Sequence, residues 1–548
     1  MKGADLIRSI YKKAVPLCLA LMLTAMPCAS AGAESADTVK SVSKDADAKA
    51  TYTAHYPIGD KAYKFEYSDS FFSHSAKEYD HALAKASIAV AMAAMTSSET
   101  QGQYDKESTD PPRDKNLKSM LSSLGFDMNS YTSYRYDVPL SDSSDEAAFG
   151  IARKKTDSGD LIVVAVRGGG YGAEWASNFR VGKGRYASGF YKSGTFIKNA
   201  VADYCSKNHI GSDAKIWITG YSRGAAVTQT TAVQLNKAGF EPENIYAYAF
   251  AAPAVRRSVK DTDDNIHCIV NPADPVCSLP VPDWGFERAG VTHILDTSVI
   301  TDKKTSGKFG GFYKKLTGRS YKYDRRGCDM TAAFSDVFSE ASPTASAYVD
   351  SGTQAQFVSL MTEMNKTSEM SAESFDTKNL FKLSISSGGS VKLSEGSMDA
   401  FRPLMTADWT ADMLMQHDPA VYLAYLYSAD ADRCYTSGRI SKTVIIDGKA
   451  DVVVYRNDKP VCSVTGGAVK GELIALAGAG STRIYLSGDD YRISIPGKED
   501  TLGYTVQTRC DGKSIKKAKM TLASANGRTY TGNITMAPDT VSAEYRLS

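Results

Sequence analysis

"KIWITGYSRGAAVTQTTAVQL", residues 215–235, carries a short β-rich apolar run into Gly220-Tyr221-Ser222-Arg223-Gly224 and then into a helix-like run. A serine between two glycines at such a junction has two readings. The chain either doubles back and presents Ser222 on a strained strand-to-helix turn, or makes a tight turn that happens to contain serine. In the first reading Gly220 and Gly224 supply the room the turn needs. The following helix N-terminus would then aim N–H groups and partial positive charge at the turn.

The flanking sequence alternates strand and helix. "AAFGIARKK", the turn "TDSGD" and "LIVVAVRGG" read as a hairpin with an apolar second strand. "TFIKNAVADYCSKN" reads as a helix, "AKIWITG" as a strand and "RGAAVTQTTAVQLNKAG" as a helix. "NIYAYAFAAP" and "NIHCIVNPADPV" read as strands. This order predicts an α/β fold with parallel central strands and helices on both faces. Upstream, "KEYDHALAKASIAVAMAAM" and "KNLKSMLSSLGF" are helix candidates, the second ending at Gly125.

The outer parts differ in texture. Residues 1–13 hold Lys2, Arg8, Lys12 and Lys13, an apolar run follows, and "ASAGAE" offers small-residue cleavage near Ala31 or Ala33. We read residues 1–33 as a secretory signal peptide and 34–50 as a flexible leader. Cys28 after "AMP" is a poor lipid-attachment match, which favours a released protein over an anchored one, with retention at the cell surface as the alternative. Residues 51–434 are expected to form the α/β domain, interrupted at about 300–400 by a helical and irregular insertion rich in Lys, Ser, Gly and Met. Residues 435–548 show short alternating runs between Gly/Asp turns and are expected to form an all-β accessory domain.

Composition narrows the function classes. The chain has 548 residues with 43% apolar and 23% charged side chains, ordinary for a globular protein. Without residues 1–33 it holds 60 basic against 61 acidic residues, so nothing points to nucleic acid or an anionic membrane as a standing partner. The remaining cysteines, Cys205, Cys268, Cys277, Cys328, Cys434, Cys462 and Cys510, form no C-x-x-C pair or His/Cys cluster, which argues against zinc. Cys268 and Cys277 could bridge in an oxidising compartment, or all could be buried thiols.

A serine hydroxyl needs a base to take its proton and an acid to orient that base. In sheets of this topology the order along the chain is serine, acid, histidine, with the partners on loops at the strands' C-terminal ends. Asp274 in "IVNPADPVCSLP" follows an apolar strand and fits the acid; the plain alternative is a turn aspartate before proline. Of seven histidines, His55, His74, His81 and His209 precede the serine, and His267 lies within an apolar strand and reads as core. His417, at a loop-to-helix start in "MLMQHDPAVYLAYL", is favoured as the base over His293 in the strand-like "GVTHILD". An oxyanion would find one donor in the N–H of Arg223 and another in the glycine turn Gly168 to Gly170.

These phrases together resemble the class 3 (fungal-type) lipases of the α/β-hydrolase superfamily, in a secreted bacterial version. The resemblance runs from about His81 to Ala424 through "LGFDMNSYTSYRYD", "LIVVAVRGGG", "EWASNF", "ASGFYKSG", "IWITGYSRGAA", "YAFAAPAV", "IVNPADPVCSLP" and "QHDPAVYL". It implies Ser222 as nucleophile, Asp274 as acid, His417 as base, and an oxyanion hole from Gly169 and Arg223, with no metal or organic cofactor. Two departures stand out. Gly169 holds the place where the family commonly carries Thr or Ser, and the segment around Trp175, where the family has its lid helix, is short. The insertion, with Met361, Met364 and Phe381, would then supply any cover. The expected function is a triacylglycerol lipase or carboxylesterase meeting an ester or lipid substrate, with transient contact to a lipid interface. A phospholipase or other acyl-ester hydrolase, or an inactive surface-binding protein on the same fold, is the alternative.

Overall fold

The computed structural model describes residues 49–95, 113–136, 146–168, 178, 181–182, 184–257, 263–339, 412–413, 415–477, 480–538 and 545–547. The signal-peptide reading, Gly169, Gly170, Trp175 and most of the insertion, including Met361, Met364 and Phe381, lie outside the described residues.

In chain order, a hairpin of β1 (Ala50–His55) and β2 (Ala62–Tyr67) precedes α1 (His81–Ala94), α2 (Lys115–Ser123) and strands β3 (Asp127–Tyr134), β4 (Phe149–Thr156) and β5 (Gly159–Val166). Then come α3 (Ser188–Lys207), β6 (Lys215–Tyr221), α4 (Arg223–Lys237), β7 (Ile245–Phe250), β8 (Ile266–Val270) and β9 (Val291–Leu295). Helices α5 (Ser306–Thr317), α6 (Gly327–Ser339) and α7 (Pro419–Ser428) lead to the short β10 (Tyr435–Thr436). Strands β3 to β10 form one eight-stranded sheet in the order β10-β9-β8-β7-β6-β5-β4-β3. The pairings from β5 to β9 are parallel, and the strands at both ends are antiparallel.

The sequence explains why the centre is parallel and buried. "LIVVAV" of β5 and "IYAYAF" of β7 are apolar at every position, as a strand covered on both faces must be, and all twelve residues are buried. Alternation along β6 assigns its two faces. Trp217 Nε1 and Thr219 Oγ1 donate to Ser87 Oγ (2.8 Å) and Ser87 O (3.0 Å) on α1, while Gly220 faces α4. Helix α1 is apolar nearly all round because it lies inside the molecule, and Asp80 caps it through the N–H groups of Ala82 and Leu83. Helix α4 buries polar side chains, and two of them bond across to other segments: Gln229 Nε2 donates to Pro253 O at 3.0 Å and Thr230 Oγ1 to Phe190 O at 2.9 Å.

The C-terminal strands are β11 (Ile440–Asp447), β12 (Val452–Arg456), β13 (Lys459–Thr465), β14 (Ala468–Gly471), β15 (Ile474–Ala477), β16 (Ser481–Ser487), β17 (Tyr491–Pro496), β18 (Leu502–Cys510), β19 (Lys513–Leu522), β20 (Thr529–Ile534) and β21 (Tyr545–Leu547). They make a five-stranded sheet, β15-β16-β11-β18-β19, and a six-stranded sheet, β14-β13-β12-β17-β20-β21. Val444, Ile484 and Val506 of the first meet Val454, Ile493 and Tyr530 of the second in a hydrophobic core separate from that of the α/β part. Edge strand β19 exposes Lys513, Lys516, Lys517 and Lys519, charges that discourage pairing with another chain. Tyr435 and Thr436 still pair with β9 of the large sheet, so the change to the second architecture follows them.

The seven cysteines of the described residues are all free thiols. Cys268 and Cys277 have separate partners: Cys268 donates to Ala289 O, and Cys277 lies against Asp274 and Tyr422. No helix among the described residues is long and apolar enough to cross a membrane.

Candidate active site

Ser222 stands between β6 and α4 with φ 55° and ψ −122°, a conformation that L side chains rarely adopt. Such a residue costs of order 1–3 kcal/mol and persists only where its surroundings fix it. Here the two glycines do so. A Cβ on Gly220 would lie 2.5 Å from the Gly224 carbonyl carbon and oxygen, and one on Gly224 would lie 2.7 Å from Val166 O. The strand, the turn and the helix start touch backbone to backbone. Ser222 N–H donates to Phe250 O (2.9 Å), while Ser222 O accepts from Ala225 and Ala226 (2.9 and 3.1 Å), so the turn is tied to β7 and to its own helix.

The structure brings Ser222, His417 and Asp274 together. Ser222 Oγ is 2.8 Å from His417 Nε2, and His417 Nδ1 is 2.8 Å from Asp274 Oδ2. A proton on Nδ1 shared with the carboxylate leaves Nε2 with its lone pair toward the serine hydroxyl. The three are 7%, 6% and 0% exposed, so the chain of bonds lies away from bulk water.

Asp274 follows β8 and caps a short 3₁₀ turn, accepting from Val276 N–H through Oδ1 at 2.9 Å. Its Oδ2 takes more than the imidazole: Tyr422 OH donates at 2.7 Å, and the Cys277 thiol lies at 3.6 Å. Tyr422 in turn accepts from Asn271 N–H at 3.1 Å. Burial together with the Asp274 charge pushes the Tyr422 phenol and the Cys277 thiol well above their ordinary values. Both therefore stay protonated and able to donate.

His417 ends a 3₁₀ turn, Met415–His417, just before α7. Its carbonyl accepts from Tyr221 OH at 2.7 Å, and the Gln416 carbonyl accepts from Asn271 Nδ2 at 3.2 Å. Tyr321 OH donates to Gln416 Oε1 (2.7 Å), and Tyr56 OH to Asp418 Oδ1 (2.6 Å). Asp418 caps α7 through Ala420 N–H. Every residue from 416 to 418 is thus held by a side chain from a different part of the chain.

Arg223 opens α4, so its main-chain N–H belongs to the first turn, where helix donors lack intrahelical acceptors. Its guanidinium is engaged elsewhere, donating to Asn178 Oδ1 at 2.6 Å and Ser193 Oγ at 3.1 Å. What Arg223 can bring to an oxyanion is therefore the backbone. Gly168 abuts the turn, where an added Cβ would lie 3.1 Å from Tyr221 O.

His293 sits on β9 with its Nε2 3.2 Å from His267 Nδ1, and it takes no part in the Ser222 cluster. His267 is core, as its apolar surroundings in the sequence imply. Sequence reasoning missed Tyr422, Cys277, Asn271, Tyr221 and Tyr56. Tyr422 stands five residues after His417 within an apolar helix, where its ring reads as core. Among the described residues, no cluster of three or more His, Cys, Asp or Glu could hold a metal.

Residues 163–284, which carry the Ser222 turn and the Asp274 loop, match the family model of lipase (class 3). No curated protein sequence matches the chain. Among solved structures, the chain is similar to a mutant form of MDLA from Penicillium cyclopium, with 23% identity, 28% of this chain and 60% of that one covered, and a TM-score of 0.23. For the triacylglyceride lipase of Rhizomucor miehei the values are 20% identity, 30% and 66% coverage and a TM-score of 0.24. The mono- and diacylglycerol lipase of Aspergillus oryzae gives 20% identity, 40% and 81% coverage and a TM-score of 0.29. The chain spans less than two thirds of the first two proteins. The core of this molecule is an α/β fold around a mostly parallel sheet, and its residues 163–284 match the class 3 lipase model.

Proposed function

We propose that this chain is a serine ester hydrolase of the lipase type, exported through the segment 1–33. The observation that carries the reading is the file of Ser222, His417 and Asp274 joined by two 2.8 Å bonds at a strained strand-to-helix turn. Strain at a serine with a histidine on its hydroxyl has no packing purpose that an ordinary turn would not serve at lower cost.

In this reading Ser222 Oγ attacks the ester carbonyl as His417 Nε2 takes its proton. The carbonyl oxygen becomes an oxyanion, met by the N–H of Arg223 and of Gly169. The intermediate collapses, the ester C–O bond breaks, and the imidazolium returns the proton to the departing alcohol. Water then attacks the acyl-serine with His417 again as base, which releases the carboxylic acid and restores Ser222–OH. Asp274, fixed by Tyr422 and the Val276 N–H, keeps the imidazole turned and offsets its transient charge.

Labelling with a fluorophosphonate tests this. The wild-type chain should take one label, lost in Ser222→Ala; a wild type that takes none refutes the hydrolase. Among hydrolases, a panel of triacylglycerol, phospholipid and short water-soluble esters separates a lipase from a phospholipase or a simple carboxylesterase.

A further inference from the structure

We propose that the C-terminal β region belongs to the framework of this site: it grips helix α6, and α6 holds the loop that carries Asp274. The catalytic consequence rests on the hydrolase reading above, while the mechanical link does not.

Helix α6 has two working faces. On one, Thr331 Oγ1 donates to Ala273 O at 2.7 Å, the carbonyl of the residue just before Asp274. The approach is close, since a Cβ on Gly327 would lie 3.0 Å from the Ala273 Cβ. On the other face, Asp336 pairs with Arg509 of β18, and both are buried. Arg509 also donates to Thr443 Oγ1 of β11 at 2.6 Å. Nearer the start of α6, Asp329 Oδ2 accepts from Ser487 Oγ of β16 at 2.9 Å. Two strands of the five-stranded sheet, β16 and β18, thus hold one side of a helix whose opposite side fixes the acid loop, and the intervening β11 braces Arg509.

The chemistry suits positioning better than adhesion. A buried ion pair adds little net stability compared with apolar side chains of the same shape, but it tolerates few geometries. The Thr331 hydroxyl likewise fixes one carbonyl at one distance. Thr331, Asp336 and Arg509 are therefore positioning residues that act through Asp274; none touches the Ser222 cluster.

The test uses the full chain with Thr331→Val, Thr331→Ser, and the paired change Asp336→Leu with Arg509→Met, which removes both charges of the pair. Two quantities are measured: the rate of fluorophosphonate labelling at Ser222, and amide hydrogen exchange across residues 271–278. We expect Thr331→Val to slow labelling by about tenfold and to speed exchange in that loop, with a melting temperature lowered by only a few degrees. Thr331→Ser should return labelling to within about twofold of wild type, which a purely structural role for the residue would not require. Unchanged labelling and exchange in Thr331→Val overturn the proposal, whether or not the paired variant folds. If the wild type takes no label, the hydrolase reading falls, and exchange alone decides the link: faster exchange in the variants keeps it, unchanged exchange ends it.

Discussion

His417 and His267 are both nearly enclosed, at 6% and 1% exposure, yet they meet opposite company. His417 has a carboxylate on one ring nitrogen and a hydroxyl on the other. His267 has a second imidazole, His293, on one nitrogen and the Ala76 carbonyl on the other. Two more histidines stand nearby: His81 bonds Tyr79, whose ring packs on His293 and His267, and His74 lies 3.4 Å from Asp80. Burial pushes His267 down to about 4 and His293 to about 3, with His74 adding to the first and His267 to the second. Enclosure alone makes a histidine inert. A base needs, besides enclosure, a carboxylate that accepts a hydrogen bond from its other ring N–H.

The sharpest way to break this comparison is at the serine. Ser222→Ala should lower ester hydrolysis by about five orders of magnitude, measured as kcat on a soluble ester. Next, His417→Ala should cost about as much as losing the serine, whereas His293→Gln should leave kcat within about threefold. Equal losses from the two would mean that the Tyr79 cluster takes part in the chemistry. Tyr422→Phe removes one of the donors to Asp274 Oδ2 and should lower kcat by about tenfold with KM nearly unchanged. The smallest effect is on stability. Folded His267 and His293 refuse protons that the unfolded chain accepts below about pH 6.5. Its contribution is therefore complete above that value and is lost as pH falls toward about 4 and 3. The unfolding temperature should drop from pH 7 to 5, and His293→Gln should flatten the drop; identical slopes would remove the cluster as its cause.

Much of this was legible because the decisive signals are local. Gly220, Ser222 and Gly224 are contiguous with the strand and helix that give them meaning, and Asp274 directly follows its strand. The choice of His417 over His293 was harder, since it depends on which loop returns to Ser222, 195 residues away. Tyr422 and Cys277 carried no readable signal: a tyrosine in an apolar helix and a cysteine after a proline turn are ordinary core residues until Asp274 is placed beside them. The link from Thr331 to Ala273 spans 58 residues and joins a helix to a loop of different texture, so no periodicity could announce it. Gly169 stays a reading from the glycine run itself, because it lies outside the described residues.

The free thiols noted in the fold have a chemical consequence. Thiolate, not thiol, attacks disulfides and oxidants. Burial pushes Cys268 and Cys434 up to about 12 and Cys205 and Cys462 to about 11, and it raises Cys277, Cys328 and Cys510 as well. At neutral pH almost none of these sulfurs is in its reactive form. Once folded, the protein should pass through an oxidising medium with its thiols intact, and alkylation with iodoacetamide should stay slow until denaturant is added.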